Sequence, residues 1–190
     1  MEEQDPQIEL YVSVGNDEEN KAIEQILGKL NLDLLIKNTL QLVGVTQPIM
    51  LTLLITDDDA IRDMNQQYRQ QNKSTDVLSF PLLEKPLVNA PVEQLWQAID
   101  DEAEQTTRAG NAAAFVTPAE LITNLGDIVI SWPTVAKQAA DIGHSTAYEL
   151  LYLVVHGVLH LVGYDDQNEA GYQSMVQLQQ VLLQTVGLKA

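Results

Sequence analysis

Residues 150–162 read Leu-Leu-Tyr-Leu-Val-Val-His-Gly-Val-Leu-His-Leu-Val, a segment that is apolar on nearly every side. A helix of this kind must lie in a protein core or in a bilayer. Thirteen residues are too few to cross a membrane, so the remaining chain is expected to fold around this helix. Its polar exceptions are His156 and His160, one helical turn apart on a shared face. Gly163 follows and can adopt a helix-ending conformation closed to other residues, which returns Asp165 or Asp166 towards the two imidazoles. Two histidines and a carboxylate with one position left open form a catalytic divalent-metal site. Buried histidines can instead be satisfied by backbone carbonyls or other side chains, since leaving one unpaired costs about 1–3 kcal/mol. The Gly-x-x-Asp continuation favours the metal.

The spacing His-x3-His-x2-Gly-x2-Asp follows the ligand frame of the metzincin proteases, H-E-x-x-H-x-x-G-x-x-H. Those enzymes use the glutamate after the first histidine as general base. Gly157 stands at that position here and cannot take a proton, so peptide hydrolysis is disfavoured. The chain has no cysteine, which excludes disulfides and thiolate ligands and leaves histidines and carboxylates for any metal.

The segment His156–Asp166 resembles the H-G-x-L-H-L-x-G-Y-D-H signature of the YbeY family of bacterial endoribonucleases and rRNA maturation factors. Two further segments match it in order: Asn65–Arg69 running into Ser74–Pro81, and Leu125–Ser131. Together the likeness covers roughly residues 31–83 and 124–186. It implies a single-domain, zinc-containing hydrolase acting on RNA in 16S rRNA 3′-end processing and ribosome quality control. The family's third ligand is the histidine ending Gly-Tyr-Asp-His, and this chain has Asp166 there. A carboxylate is a legitimate zinc ligand at about 2.0–2.2 Å, but its hardness and charge make Mn²⁺ or Mg²⁺ more competitive. Asp166 therefore either substitutes as ligand, the reading we favour, or marks a weakened site.

The net charge of −17 bears directly on an RNA-acting role, because phosphate binding leans on Lys and Arg. Ten basic residues are present. Arg62, Arg69 and Lys73 fall at helical offsets 0, 7 and 11 and would form a basic strip leading into Thr75–Pro81 if the helix extends that far. Affinity for free RNA is expected to be modest. The expected partners are rRNA and the small ribosomal subunit, with a ribosomal protein supplying part of the docking, and neither DNA nor membrane. The N-terminal Met-Glu-Glu-Gln-Asp-Pro lacks the regions of a signal peptide, so a cytoplasmic location is expected.

Patterning predicts a single α+β domain over 1–190, a mixed sheet of about four strands packed with about five helices. Strands are expected at Ile8–Val14, Ile49–Ile55, Asp76–Phe80 and Leu125–Ser131. Helices are expected at Asn31–Val43, from Asp57-Asp58-Asp59 through Tyr68, and at Pro133–Ala140, 146–162 and Asn168–Val186. Residues 84–123 carry seven acids and two bases, a net −5, and read as an exposed, partly mobile insertion.

Weaker site candidates surround the motif. Arg69, which matches the arginine of the family motif, is expected to bind the scissile phosphate or stabilise its developing charge. Lys73, Ser79 and Phe80 are candidate substrate contacts, although an inward-facing strand residue reads the same way. Asp76 either lines the groove and orients a ligand or caps a strand. Asp127 either supports the metal shell or anchors its strand. Asp165 is a candidate hydrogen-bond partner of a ligand histidine, and His144 a cap between two helices. The expected chemistry is metal-assisted phosphodiester hydrolysis with His156, His160 and Asp166 holding the ion. A non-catalytic ribosome-assembly factor and a metal-dependent hydrolase of another substrate stay open as alternatives.

Overall fold

The computed structural model describes residues 5–97 and 121–185. Strand β1 (Gln7–Ser13) leads through α1 (Asp17–Leu27) and α2 (Leu32–Leu42) into β2 (Ile49–Thr56). Helix α3 (Asp58–Arg69), β3 (Val77–Pro81) and a single 3-10 turn at Val92–Gln94 come next. Strand β4 (Thr123–Ser131) is followed by α4 (Trp132–Ile142), α5 (Thr146–Val162) and α6 (Glu169–Thr185). The sheet order is β1-β2-β4-β3, with β1, β2 and β4 parallel and β3 antiparallel to β4.

Alternation along the strands assigns the two faces of the sheet. Ile49, Leu51, Leu53 and Ile55 of β2 join Ile128 and Ile130 of β4 in the main core against α5. Leu78 and Val129 point the other way and pack with Ile61 of α3, and Phe80 joins them. Between Leu125 and Ile128, both on the α5 face, one extra residue is accommodated where the β2–β4 register shifts. Gly126 lies at that bulge with φ 116°, and a side chain there would strike the Phe80 carbonyl.

Helix α5 is the centre of the core, as its composition requires. Leu150, Leu153, Val154, Val155, Val158, Leu159, Leu161 and Val162 are all buried. Each contributes about 1.5–3 kcal/mol relative to exposure. Gly157 faces the sheet, where a Cβ would sit 2.8 Å from Ile128 Cγ2. The residue that excludes a metzincin base thus also lets α5 approach β4. Among the described residues no single helix is long and apolar enough to cross a membrane.

The α+β architecture is the expected one, with three corrections. There are six α-helices among the described residues, not about five. The addition is α1, started by a capping box in which Asn16 and Glu19 satisfy each other's backbone N–H groups. Second, α3 ends at Arg69: Gln70 turns left-handed at φ 57°, so Lys73 leaves the helix and the expected basic strip is broken. Arg62 is paired instead with Asp59 at 3.0 Å. Third, residues 84–97 are exposed at about half of their positions and anchored at others. Val88 is buried, Leu87 N–H donates to Val162 O, and Leu95 bridges to Tyr164, so this segment laces across the end of α5. Most of the remaining acidic segment, 98–120, lies outside the described residues.

Candidate metal centre

Ser145 caps the start of α5 by accepting from Tyr148 N–H, and Gly163 ends it with φ 135°. A Cβ on Gly163 would also collide with Pro86, so this position needs glycine for its backbone angle and for space. The turn is held by Asp165 N–H donating to Gln94 O at 3.0 Å and Trp96 N–H donating to Gly163 O at 2.9 Å. Beyond it the chain brings Asp166 back over the helix end.

His156 Nε2 and His160 Nε2 lie 3.0 Å apart. Asp166 Oδ2 is 3.5 Å from His156 Nε2, and Oδ1 is 3.6 Å from His160 Nε2. A tetrahedral ion with bonds of about 2.1 Å places its ligands about 3.4 Å apart. The three observed separations therefore match edges of one coordination shell, and these residues form a group able to hold a metal ion. His160 Nδ1–H donates to Tyr164 O at 2.9 Å, which fixes the tautomer and leaves the Nε2 lone pair for a metal. Gln179, buried on α6, stands beside His156 on the wall of a neighbouring cavity and donates its Nε2–H to Tyr152 O.

The electrostatics suit a cation. Burial lowers the His156 pKa to about 4, helped by the nearby His160 ring, so this imidazole is neutral at pH 7. The His160 side chain beside it, with His156 adding to the effect, holds the Asp166 carboxyl down at about 2 against the opposing effect of burial. Two lone pairs and an anionic oxygen thus converge on one point.

The centre opens into a cavity of about 620 Å³. Arg69, Asp76, Ser79 and Asp165 line it with the three presumptive ligands. Asp76 is fixed there by Val77 N–H on Oδ1 and Gln138 Nε2–H on Oδ2. Asp165 accepts from Gln167 N–H, while the imidazole it was expected to orient is held by the Tyr164 carbonyl. Three other candidates lie elsewhere. Phe80 meets Tyr68 edge to face on the α3 side of the sheet. Asp127 is exposed on that same side, and the exposed Lys73 does not line the cavity. His144 sits between the actual caps, Gly143 and Ser145, 3.5 Å from Glu149.

Sequence reasoning missed Trp96 and Gln179. Trp96 lines the cavity and donates Nε1–H to the His160 carbonyl at 3.0 Å. It lay hidden in a segment read as exposed. Gln179 did carry a signal, being a polar residue at helical spacing between Met175 and Leu182 in the buried stripe of α6.

Residues 11–187 match the family model described as Endoribonuclease YbeY. The Endoribonuclease YbeY of Roseiflexus sp. (strain RS-1) is 39% identical over 79% of this chain and 78% of its own length. The proteins of that name from Desulforamulus reducens and Moorella thermoacetica are 36% and 35% identical, over 94% and 93% of this chain and 99% and 97% of theirs. With the motif, the histidine pair and the family match all on the same residues, this chain belongs to the YbeY endoribonuclease family.

Proposed function

We propose that this protein is a metal-dependent endoribonuclease that hydrolyses phosphodiester bonds in single-stranded RNA, in the 16S rRNA 3′-end maturation and ribosome quality control that the family resemblance implies. The observation that carries this reading is the His156–His160–Asp166 group opening directly into a cavity that also holds Arg69. The relatives' name, Endoribonuclease YbeY, points to the same reaction class.

Zn²⁺ is the expected ion, one per chain, with Mn²⁺ or Mg²⁺ competing because the third ligand is a carboxylate. When bound it supplies Lewis acidity and an acidified water. His160 keeps its Nε2 aimed through its bond to Tyr164 O, and Gln179 stands beside the His156 ring. Arg69 neutralises charge developing on the phosphoryl oxygens. Asp76 lines the cavity and does not coordinate.

Among the described residues Arg69 is the only Lys or Arg lining that cavity, beside Asp76, Asp165 and Asp166. A single cation supports weak capture of free RNA. Docking on the small ribosomal subunit, through a ribosomal protein as well as rRNA, supplies the remaining affinity. That setting makes the protein cytoplasmic.

The test is elemental analysis of protein purified without a histidine tag, beside Asp166→Ala, followed by cleavage of single-stranded RNA. About one Zn²⁺ per chain, lost in the variant, with cleavage abolished by His160→Ala, is expected. RNA cleavage that survives both His160→Ala and Arg69→Ala would sink the proposal.

A further inference from the structure

On the far side of the metal centre lies a second cavity, of about 270 Å³. It shares Asp76, Val77, His156 and Asp166 with the first, so two of the three candidate ligands line both. Its other walls come from Tyr152 and Leu153 on α5 and from Tyr172, Met175, Val176 and Gln179 on α6. The two spaces differ in chemistry. The first holds a guanidinium, whereas among the described residues no Lys or Arg lines the second, which has two carboxylates, two phenols and the apolar side chains of Leu153, Met175 and Val176.

A phosphate is repelled from such a space. A planar, uncharged ring is not: it can stack on a phenol, and an exocyclic amine on it can donate to a carboxylate. Tyr172 is half exposed at the rim, while Gln179 is buried with its amide already committed to the Tyr152 carbonyl. The floor is therefore rigid and the rim accessible.

We propose that this second cavity is a nucleobase subsite, which receives the base next to the scissile phosphate and prefers bases carrying an exocyclic amine over uracil. It rests on the endoribonuclease reading above. An RNA strand would lie with its phosphate between Arg69 and the metal centre and turn the adjacent base past His156 onto Tyr172.

The experiment uses the metal-loaded protein and four single-stranded oligoribonucleotides that differ only in the base beside the mapped cleavage position. Wild type is expected to cleave the adenine and cytosine substrates about tenfold faster than the uracil one, on the scale of one hydrogen bond from an amine to a carboxylate. Tyr172→Ala and Val176→Trp, which removes the platform and fills the space respectively, are expected to flatten that preference with metal content unchanged. Absence of a base preference, or a preference that Val176→Trp leaves intact, would overturn the subsite. Should wild type cleave no RNA, the parent reading falls and the subsite is judged by binding. Quenching of a 2-aminopurine oligonucleotide by wild type that is lost in Tyr172→Ala upholds it, and equal signals from both proteins overturn it.

Discussion

Asp58 and Asp166 are both held acidic, by opposite means. Asp58, at the start of α3, accepts from Thr134 Oγ1 at 2.7 Å, Ser74 Oγ at 3.1 Å and Ser131 Oγ. Its pKa is lowered chiefly by the Ser131 hydroxyl, with Thr134 and Ser74 adding to it. Those donors, all on Oδ1, tie α3, α4 and the end of β4 together. Asp166 faces two imidazole nitrogens, one of which is a lone pair fixed by the bond from the other ring nitrogen to Tyr164. A carboxylate held by hydroxyls is an anchor. One set against lone pairs is half of a coordination shell.

The sharpest way to break this contrast is to remove a lone pair. His160→Ala is expected to weaken metal binding by more than about a hundredfold, beyond the usual effect of losing a residue that merely supports a ligand. RNA cleavage should fall to background while the fold persists, because the His160 side chain is partly exposed and lines the cavity. Elemental analysis and circular dichroism check the two halves. Next comes Arg69→Ala, expected to lower kcat about a hundredfold or more with metal content unchanged. A lowered metal content there would mean that Arg69 belongs to the framework and not to the reaction.

The anchor predicts the reverse pattern. Asp58→Asn should cost about 1–3 kcal/mol of stability, because hydroxyl donors lose a charged acceptor, and should leave the metal in place. The pH dependence follows in sign. A carboxyl whose folded pKa lies below its unfolded value contributes stability that is present above the unfolded value and lost as pH falls through the folded one. Wild type should therefore lose part of its stability on acidification below about pH 4, the ordinary Asp range, and Asp58→Asn should lose less over that span. Urea midpoints measured from pH 6 downward decide it.

The metal half of this comparison was legible in the sequence, and the anchor was not. His156, His160 and Asp166 sit within eleven residues, so helix geometry and one glycine suffice to bring them together. Asp58, Ser131 and Thr134 are some seventy residues apart and meet only because β4 ends beside α3. The core strands and α5 were readable from apolar periodicity. Helix α1 was overlooked although its Asn16-x-x-Glu19 box and its Ile23 and Leu27 spacing were on the page. The role of residues 84–97 could not be read, because their backbone bonds to Val162 and Gly163 and the Trp96 side-chain bond to the His160 carbonyl are long-range contacts that composition does not encode. Phe80 illustrates a different limit: alternation pairs it with Leu78, but only the packing of α3 says which face that is.

The smallest effect separates the two histidines themselves. His160 is oriented by a backbone carbonyl, which no substitution can delete, whereas the polar side chain beside His156 is that of Gln179. Replacing Gln179 with Leu keeps its bulk in the buried stripe of α6 and removes its amide from His156 and its hydrogen bond to the Tyr152 carbonyl. Stability should fall whatever else Gln179 does, since a buried carbonyl loses its donor at a cost of about 1–3 kcal/mol. Metal affinity is the discriminating quantity. If Gln179 holds the His156 ring in place, zinc competition against a chelator should show about tenfold weaker binding, the lower end of what lost orienting partners cost. Glu at this position should recover the affinity, because a carboxylate accepts an imidazole proton more strongly than an amide does. An affinity equal to wild type, with only the thermal midpoint lowered, would place Gln179 with Asp58 among the anchors and leave the imidazole of His156 held by packing alone.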